Sequence, residues 1–225
     1  MRKGIIGTAL ASVCAAVLVV SGCSENINEL KENARAKALS EPVMAAEETE
    51  EEETEEESVS PEQMDLIKYN YYVELNNEIV KLMDDIDYYY EVVEYDEEFA
   101  LIPDSGYTYG YRIRGFGKDL ADDCIQLADM EPAYETLDPL IKEMAEPLKE
   151  LMAAFSEVSR SNDYAANQYQ KAKELHAVIY PAADEFEPMG YEFTHAVSAV
   201  ADERIAAEEE EMKAEGRLIA YNASR

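Results

Sequence analysis

His176 and His195 are the only imidazoles in this 225-residue chain. With Glu174 and Glu192 near them, they are the residues from which a carboxylate–imidazole metal site could be assembled. No His-Glu-x-x-His or Glu-x-x-His pairing at one-turn spacing accompanies them, so neither a resident metal nor a cofactor is expected. Nucleophilic catalysis has no better footing. Neither a Gly-x-Ser-x-Gly elbow nor a Ser-x-x-Lys motif occurs, and Gly115-Phe116-Gly117-Lys118 lacks the spacing of a phosphate-binding loop. Carboxylate pairs such as Asp84 with Asp85 mark nothing in a chain with 50 acids. The expectation is a chain with no catalytic residues, not an enzyme. What stands out is aromatic: 16 tyrosines and no tryptophan. Tyr88, Tyr89 and Tyr90 cannot all face one core, and Tyr107, Tyr109 and Tyr111 lie beside Arg112 and Arg114. Rigid amphipathic rings with arginine suit a contact surface. Tyrosines with wet hydroxyls also pack helices, and the two readings of this loop stand level.

The cysteines separate by position. Arg2 and Lys3 precede an apolar stretch from Gly4 to Val20, followed by Ser21, Gly22 and Cys23, which is the order of a secretory signal over residues 1–22. Val20-Ser21-Gly22-Cys23 resembles the lipobox of bacterial lipoproteins. That resemblance implies a diacylglyceryl group on the Cys23 thiol and cleavage just before it. Two acyl chains give a stable anchor where one is marginal. The mature chain is then expected at the cell membrane or outer membrane, lipid-anchored and facing the extracytoplasmic side. Ser24, rather than aspartate, follows the cysteine, which tilts the choice to the outer membrane where there are two. A retained transmembrane helix is the competitor, because the apolar run of about 17 residues reaches the lower limit for a span. Cys14 leaves with the signal, so Cys124 remains alone and no intramolecular disulfide is expected. Its apolar neighbours Leu120 and Leu127 suit a buried, inert thiol.

Formal charge is −31, and loss of Arg2 and Lys3 makes it more negative. Such a surface repels nucleic acid and anionic headgroups. Residues 24–60 carry few aromatic or β-branched side chains, and 47–57 are Glu except for Thr49 and Thr54. The expected behaviour is a disordered acidic tether, on the order of 120 Å when fully stretched. A glutamate run lacking spaced ligands and a turn glycine is a poor calcium site.

The elements that must position these residues begin at Ser60-Pro61-Glu62-Gln63, where Ser60 can cap, Pro61 fits the first helical position and Gln63 completes a capping box. Met64, Ile67, Tyr71, Leu75, Ile79, Leu82, Ile86, Tyr90 and Val93 then recur every three or four residues, which predicts one helix to about Tyr95. Pro103, Gly106, Gly110, Gly115 and Gly117 break the pattern over 96–117, which reads as a loop. Helix is predicted again from Lys118 to about Ser159, broken at Glu131-Pro132 and kinked at Pro139 and Pro147. A last helical stretch runs from Tyr164 to about Gly216, bent at Pro181 and Pro188-Met189-Gly190. The fold class is all-α: an elongated antiparallel bundle of three to four long helices over residues 61–225, after the tether 23–60.

Lys68-Tyr69-Asn70-Tyr71-Tyr72-Val73-Glu74-Leu75-Asn76-Asn77, Leu82-Met83-Asp84-Asp85 and the tyrosines to Tyr90 resemble the opening of the YiiG-like family of bacterial lipoproteins. Asp163-Tyr164 leading into Lys173-Glu174-Leu175-His176 is similar to that family's later helix. The resemblance implies an all-helical exported domain without an established activity. Family members continue past the stretch matching Glu211-Met212-Lys213-Ala214-Glu215-Gly216-Arg217, so a C-terminally truncated copy is an expectation. The functional reading is a lipid-anchored module that binds an envelope protein or glycan through a helical face or the 104–114 loop. The alternatives are a structural spacer and, behind it, an enzyme or metal-handling protein.

Overall fold

The computed structural model describes residues 60–216, apart from 106–107, 118 and 162–164. The signal segment, Cys23, the acidic tether and Tyr107 lie outside the described residues. Four α-helices follow in order: α1 (Pro61–Val92), α2 (Asp119–Leu127), α3 (Leu137–Arg160) and α4 (Gln170–Ala214). Among the described residues there is no strand, only an isolated antiparallel bridge between Val93 and Leu101. The all-α architecture is thus as the periodicity predicts, with three long helices and one short one. None of the described helices is long and apolar enough to cross a membrane. The chain divides into two compact units, Thr49–Val197 and Met1–Glu48 with Ser198–Arg225. The bundle described below belongs to the first. Of the second, the described part is the final, glutamate-rich turns of α4.

The start of α1 is fixed by its sequence. Ser60 Oγ accepts from the Gln63 backbone N–H at 3.2 Å, and Gln63 Oε1 accepts from the Ser60 N–H at 2.9 Å. With Pro61 at the first position, this satisfies donors that a helix terminus otherwise leaves open. Leu75, Ile79, Leu82 and Ile86 of α1 are fully buried, as are Leu137, Ile141 and Phe155 of α3 and Phe186 and Phe193 of α4. Side-chain contacts give the directions. Tyr72 meets Asp138 and Tyr89 meets Phe155, so α1 and α3 run parallel. Tyr89 meets His176 and Tyr72 meets Phe193, so α4 runs back along α1. Gly190 lets α4 pack closely here, since a Cβ at that position would lie 3.0 Å from the Phe186 ring and 3.5 Å from Met83 Sδ.

The prolines fall differently along the helices. Pro139 sits in the first turn of α3, where a missing N–H costs no intrahelical bond, and α3 continues through Pro147. α4 runs unbroken through Pro181 and Pro188. Those rings release the carbonyls of Ala177 and Asp184, both at exposed positions where water can satisfy them. The expected break at Glu131-Pro132 is present, as a turn between α2 and α3 with that peptide bond cis. α4 begins later than predicted because Gln168 and Tyr169 take left-handed backbone angles, φ 55° and 54°, which stop helix propagation there.

Cys124 is buried on α2 with its thiol 3.5 Å from the Tyr71 carbonyl, and burial pushes that thiol well above the ordinary range. A thiol so held is a poor nucleophile. A chain carrying Cys14→Ser and Cys23→Ser is expected to resist iodoacetamide when native and to take up one equivalent in urea, read by mass spectrometry; full native labelling would contradict the packing.

Candidate functional site

Two buried polar clusters and one surface turn hold most of the chemistry-bearing residues. The first cluster joins α1 to the turn before α3. Lys68, fully buried, donates to the carbonyls of Met130 (2.7 Å) and Pro132 (2.9 Å) and to Asp138 Oδ2 (2.9 Å). Its three protons are all used. Asp138 also accepts from Tyr72 OH at 2.6 Å and from the Tyr134 N–H at 2.8 Å, and it lies in the first turn of α3, where the helix dipole favours an anion. The ammonium sits 5.8 and 5.6 Å from the ring centres of Tyr72 and Tyr134. Burial and the Asp138 carboxylate push the Tyr72 phenol far above the usual tyrosine range. Nothing here is left to bind a ligand, so the cluster fixes the fold. Sequence reading missed it, although a signal was present: Lys68 falls four residues from both Met64 and Tyr72, on the stripe that should be apolar.

The second cluster surrounds His176, which is also fully buried. Tyr89 OH lies 2.9 Å from Nδ1 and the Asp96 carbonyl 2.7 Å from Nε2. A carbonyl only accepts, so Nε2 carries the proton and Nδ1 accepts from Tyr89. Phe99 stands edge-on to the imidazole, and Tyr180 is tilted against it. His195 is exposed on the same helix, about 28 Å further along at 1.5 Å per residue. The two histidines therefore share α4 and cannot share a metal. Among the described residues no group of three or more His, Cys, Asp or Glu is placed to hold one.

The surface feature is the segment 108–116. Tyr111 N–H donates to the Thr108 carbonyl at 3.0 Å, closing a turn whose third residue, Gly110, has φ +73°. The turn is pinned from four directions. Thr108 O accepts from Tyr88 OH at 2.9 Å, and Tyr109 packs against Tyr89, Phe99 and Tyr169. Arg114 grips Asp85 through Nε (3.1 Å), Nη2 (3.0 Å) and its backbone N–H (3.0 Å), while the Phe116 N–H reaches Ser156 Oγ at 2.9 Å. The Asp85 carboxylate holds the Arg114 guanidinium still more firmly charged. A Cβ at Gly110 would approach the Val158 carbonyl to 3.3 Å. Gly110→Ala combines that approach with a left-handed backbone, and thermal or urea unfolding is expected to show a loss of about 1–2 kcal/mol. An unchanged midpoint would mean the turn is not held as described.

The tyrosines therefore divide. Tyr88 and Tyr89 are buried and Tyr90 half-buried, each covered by a different neighbour: Arg112 and Thr108 over Tyr88, Phe155 and His176 against Tyr89, Tyr95 against Tyr90. Tyr109 is local packing. Tyr111 is 81% exposed, and next to it the Arg112 guanidinium lies 4.9 Å over the Tyr88 ring. Asp84 and Asp85 also part company: Asp85 is the buried clamp for Arg114, and Asp84 is exposed at 3.8 Å from it.

Residues 63–225 match the model of a family of proteins of unknown function, DUF3829. No curated protein and no solved structure matches the chain.

Proposed function

Because the chain belongs to the DUF3829 family, whose function is unknown, its role has to be argued from its own residues, and we propose that it is a lipid-anchored, non-enzymatic module that binds a component of the bacterial envelope. The carrying observation is the rigid turn that exposes Tyr111 and Arg112. A turn whose backbone is fixed before binding, with the Arg112 guanidinium resting 4.9 Å from the Tyr88 ring centre, loses less freedom on contact than a loose loop, which is how a small surface gains affinity.

The finer placement, as a relative of the YiiG-like lipoproteins on the extracytoplasmic side of the cell or outer membrane, rests on the signal-like residues 1–22 and Val20-Ser21-Gly22-Cys23. Cys23→Ser is expected to block labelling by radioactive palmitate and to abolish cleavage before residue 23. Continued lipid incorporation in that variant would overturn the anchor. The binding reading is tested by a pull-down from native envelopes with the full chain and its Tyr111→Ala variant. Tyr109 is left intact because its loss would disturb the aromatic packing. A partner kept only by the parent supports the module. No partner for either moves weight to the structural spacer, a reading that the fully satisfied Lys68–Asp138 cluster favours by stiffening the bundle.

A further inference from the structure

α4 is held against α1 at separate levels. His176 Nδ1 meets Tyr89 OH at 2.9 Å, and further along Phe193 packs edge-on against Tyr72 with ring centres 6.4 Å apart. Residues 181–194, from just after the first contact to just beyond the second, collect what weakens a helix. Pro181 and Pro188 each lack a backbone donor. Gly190 leaves its backbone the freedom a side chain would restrict. Thr194 Oγ1 donates to the Gly190 carbonyl at 2.9 Å, a bond that competes with the helical ladder and bends helices. α3 from Leu148 to Phe155 contains no proline, glycine or threonine.

The facing stretch of α1 is weakened as well. Asn76 is 2% exposed, and its Oδ1 has no hydrogen-bond partner among the described residues. It lies one turn from Tyr72, which meets Phe193, and two turns from Met83, whose Sδ lies 3.5 Å from where a Cβ on Gly190 would stand. Helical spacings of four and seven put Tyr72, Asn76 and Met83 on one face of α1, and the contacts of Tyr72 and Met83 turn that face to the Gly190–Phe193 stretch of α4. An acceptor buried without a partner forfeits its hydration, and separating the helices returns it. Opening is therefore eased from both sides of one seam: α4 has less backbone bonding to lose, and α1 regains a solvated amide.

We propose that residues 181–194 of α4 form a hinge at which the bundle opens along the α1–α4 seam while the His176 cluster stays closed. Opening uncovers Phe186 and Phe193, which are fully buried when the seam is shut. Such sub-global opening runs through the stretch with the least to lose, ahead of unfolding of the whole bundle. The hinge is independent of what the Tyr111 turn contacts.

Hydrogen–deuterium exchange of the full chain in detergent, read by mass spectrometry, tests it. Amides of 185–194 are expected to exchange at least 10-fold faster than those of 174–180 and 148–155, and with little dependence on low concentrations of urea. Pro188→Ala, at an exposed position, restores a donor to the Asp184 carbonyl and is expected to slow exchange over 185–194 at least fivefold. Asn76→Leu removes the unsatisfied oxygen and should slow the same amides, whereas Glu143→Ala on the exposed side of α3 should leave them within twofold. Circular dichroism checks that each variant folds; should Asn76→Leu fail to, the parent and Pro188→Ala still decide. Equal exchange in the three stretches, a steep urea dependence over 185–194, or no slowing in folded Pro188→Ala would each overturn the hinge.

Discussion

Replacing Asp138 by asparagine is expected to lower unfolding free energy by about 3–5 kcal/mol, because the Lys68 ammonium is then buried without its counter-charge. Lys68→Met should cost a similar amount by stranding the Asp138 carboxylate beneath Tyr72 and Tyr134. The double variant Lys68→Met, Asp138→Asn is expected to lose clearly less than the sum, since neither charge remains. Urea denaturation of the three variants and the parent completes the cycle. Additive losses would mean that the ion pair contributes nothing beyond its separate hydrogen bonds. The expectation follows from geometry: the lysine is fully buried, and its three donors have acceptors at 2.7, 2.9 and 2.9 Å.

His176→Ala is the second large effect. It leaves Tyr89 OH and the Asp96 carbonyl without the partners they have at 2.9 and 2.7 Å, and it opens a void among Tyr89, Phe99 and Tyr180. Each orphaned group costs about 1–3 kcal/mol, so a loss of about 3–5 kcal/mol is expected. Tyr89→Phe removes one of the two bonds and should cost about 1–2 kcal/mol. His195→Ala, at an exposed position on the same helix, should stay within about 0.5 kcal/mol. Similar small losses for both histidines would contradict the placement of His176. Stoichiometric metal released by either substitution would revive the metal-handling reading.

These two clusters mark the limit of what the residues disclose in order. The helical stripe from Met64 to Val93 and the Ser60 capping box were legible because both are local: a period of 3.6 and a four-residue signature. The cluster at Asp138 was not, since it joins positions 70 residues apart, and pairing of that kind leaves no mark on periodicity. Pro139 misled because a proline's effect depends on whether it falls in the first turn, and the start of α3 at Leu137 is set by the Asp138 contacts. The three consecutive tyrosines misled differently. Consecutive helical positions do point apart, yet Thr108 and Arg112 come back onto Tyr88 and Tyr95 onto Tyr90, so each has neighbours of its own. Tyr109 and Tyr111, level in the sequence, are separated by the turn at Gly110. One points into the aromatic packing and the other to solvent.

That separation makes Tyr111 the place to test the module in the cell. A photo-crosslinking amino acid introduced at position 111 of the full chain, beside the same substitution at exposed Glu143 on α3, reports contacts in the intact envelope upon irradiation. The account predicts a discrete adduct from position 111, absent from position 143 and lost when Arg112→Gln is added. Adducts that are identical at the two positions, or none at either, would contradict a binding surface on this turn.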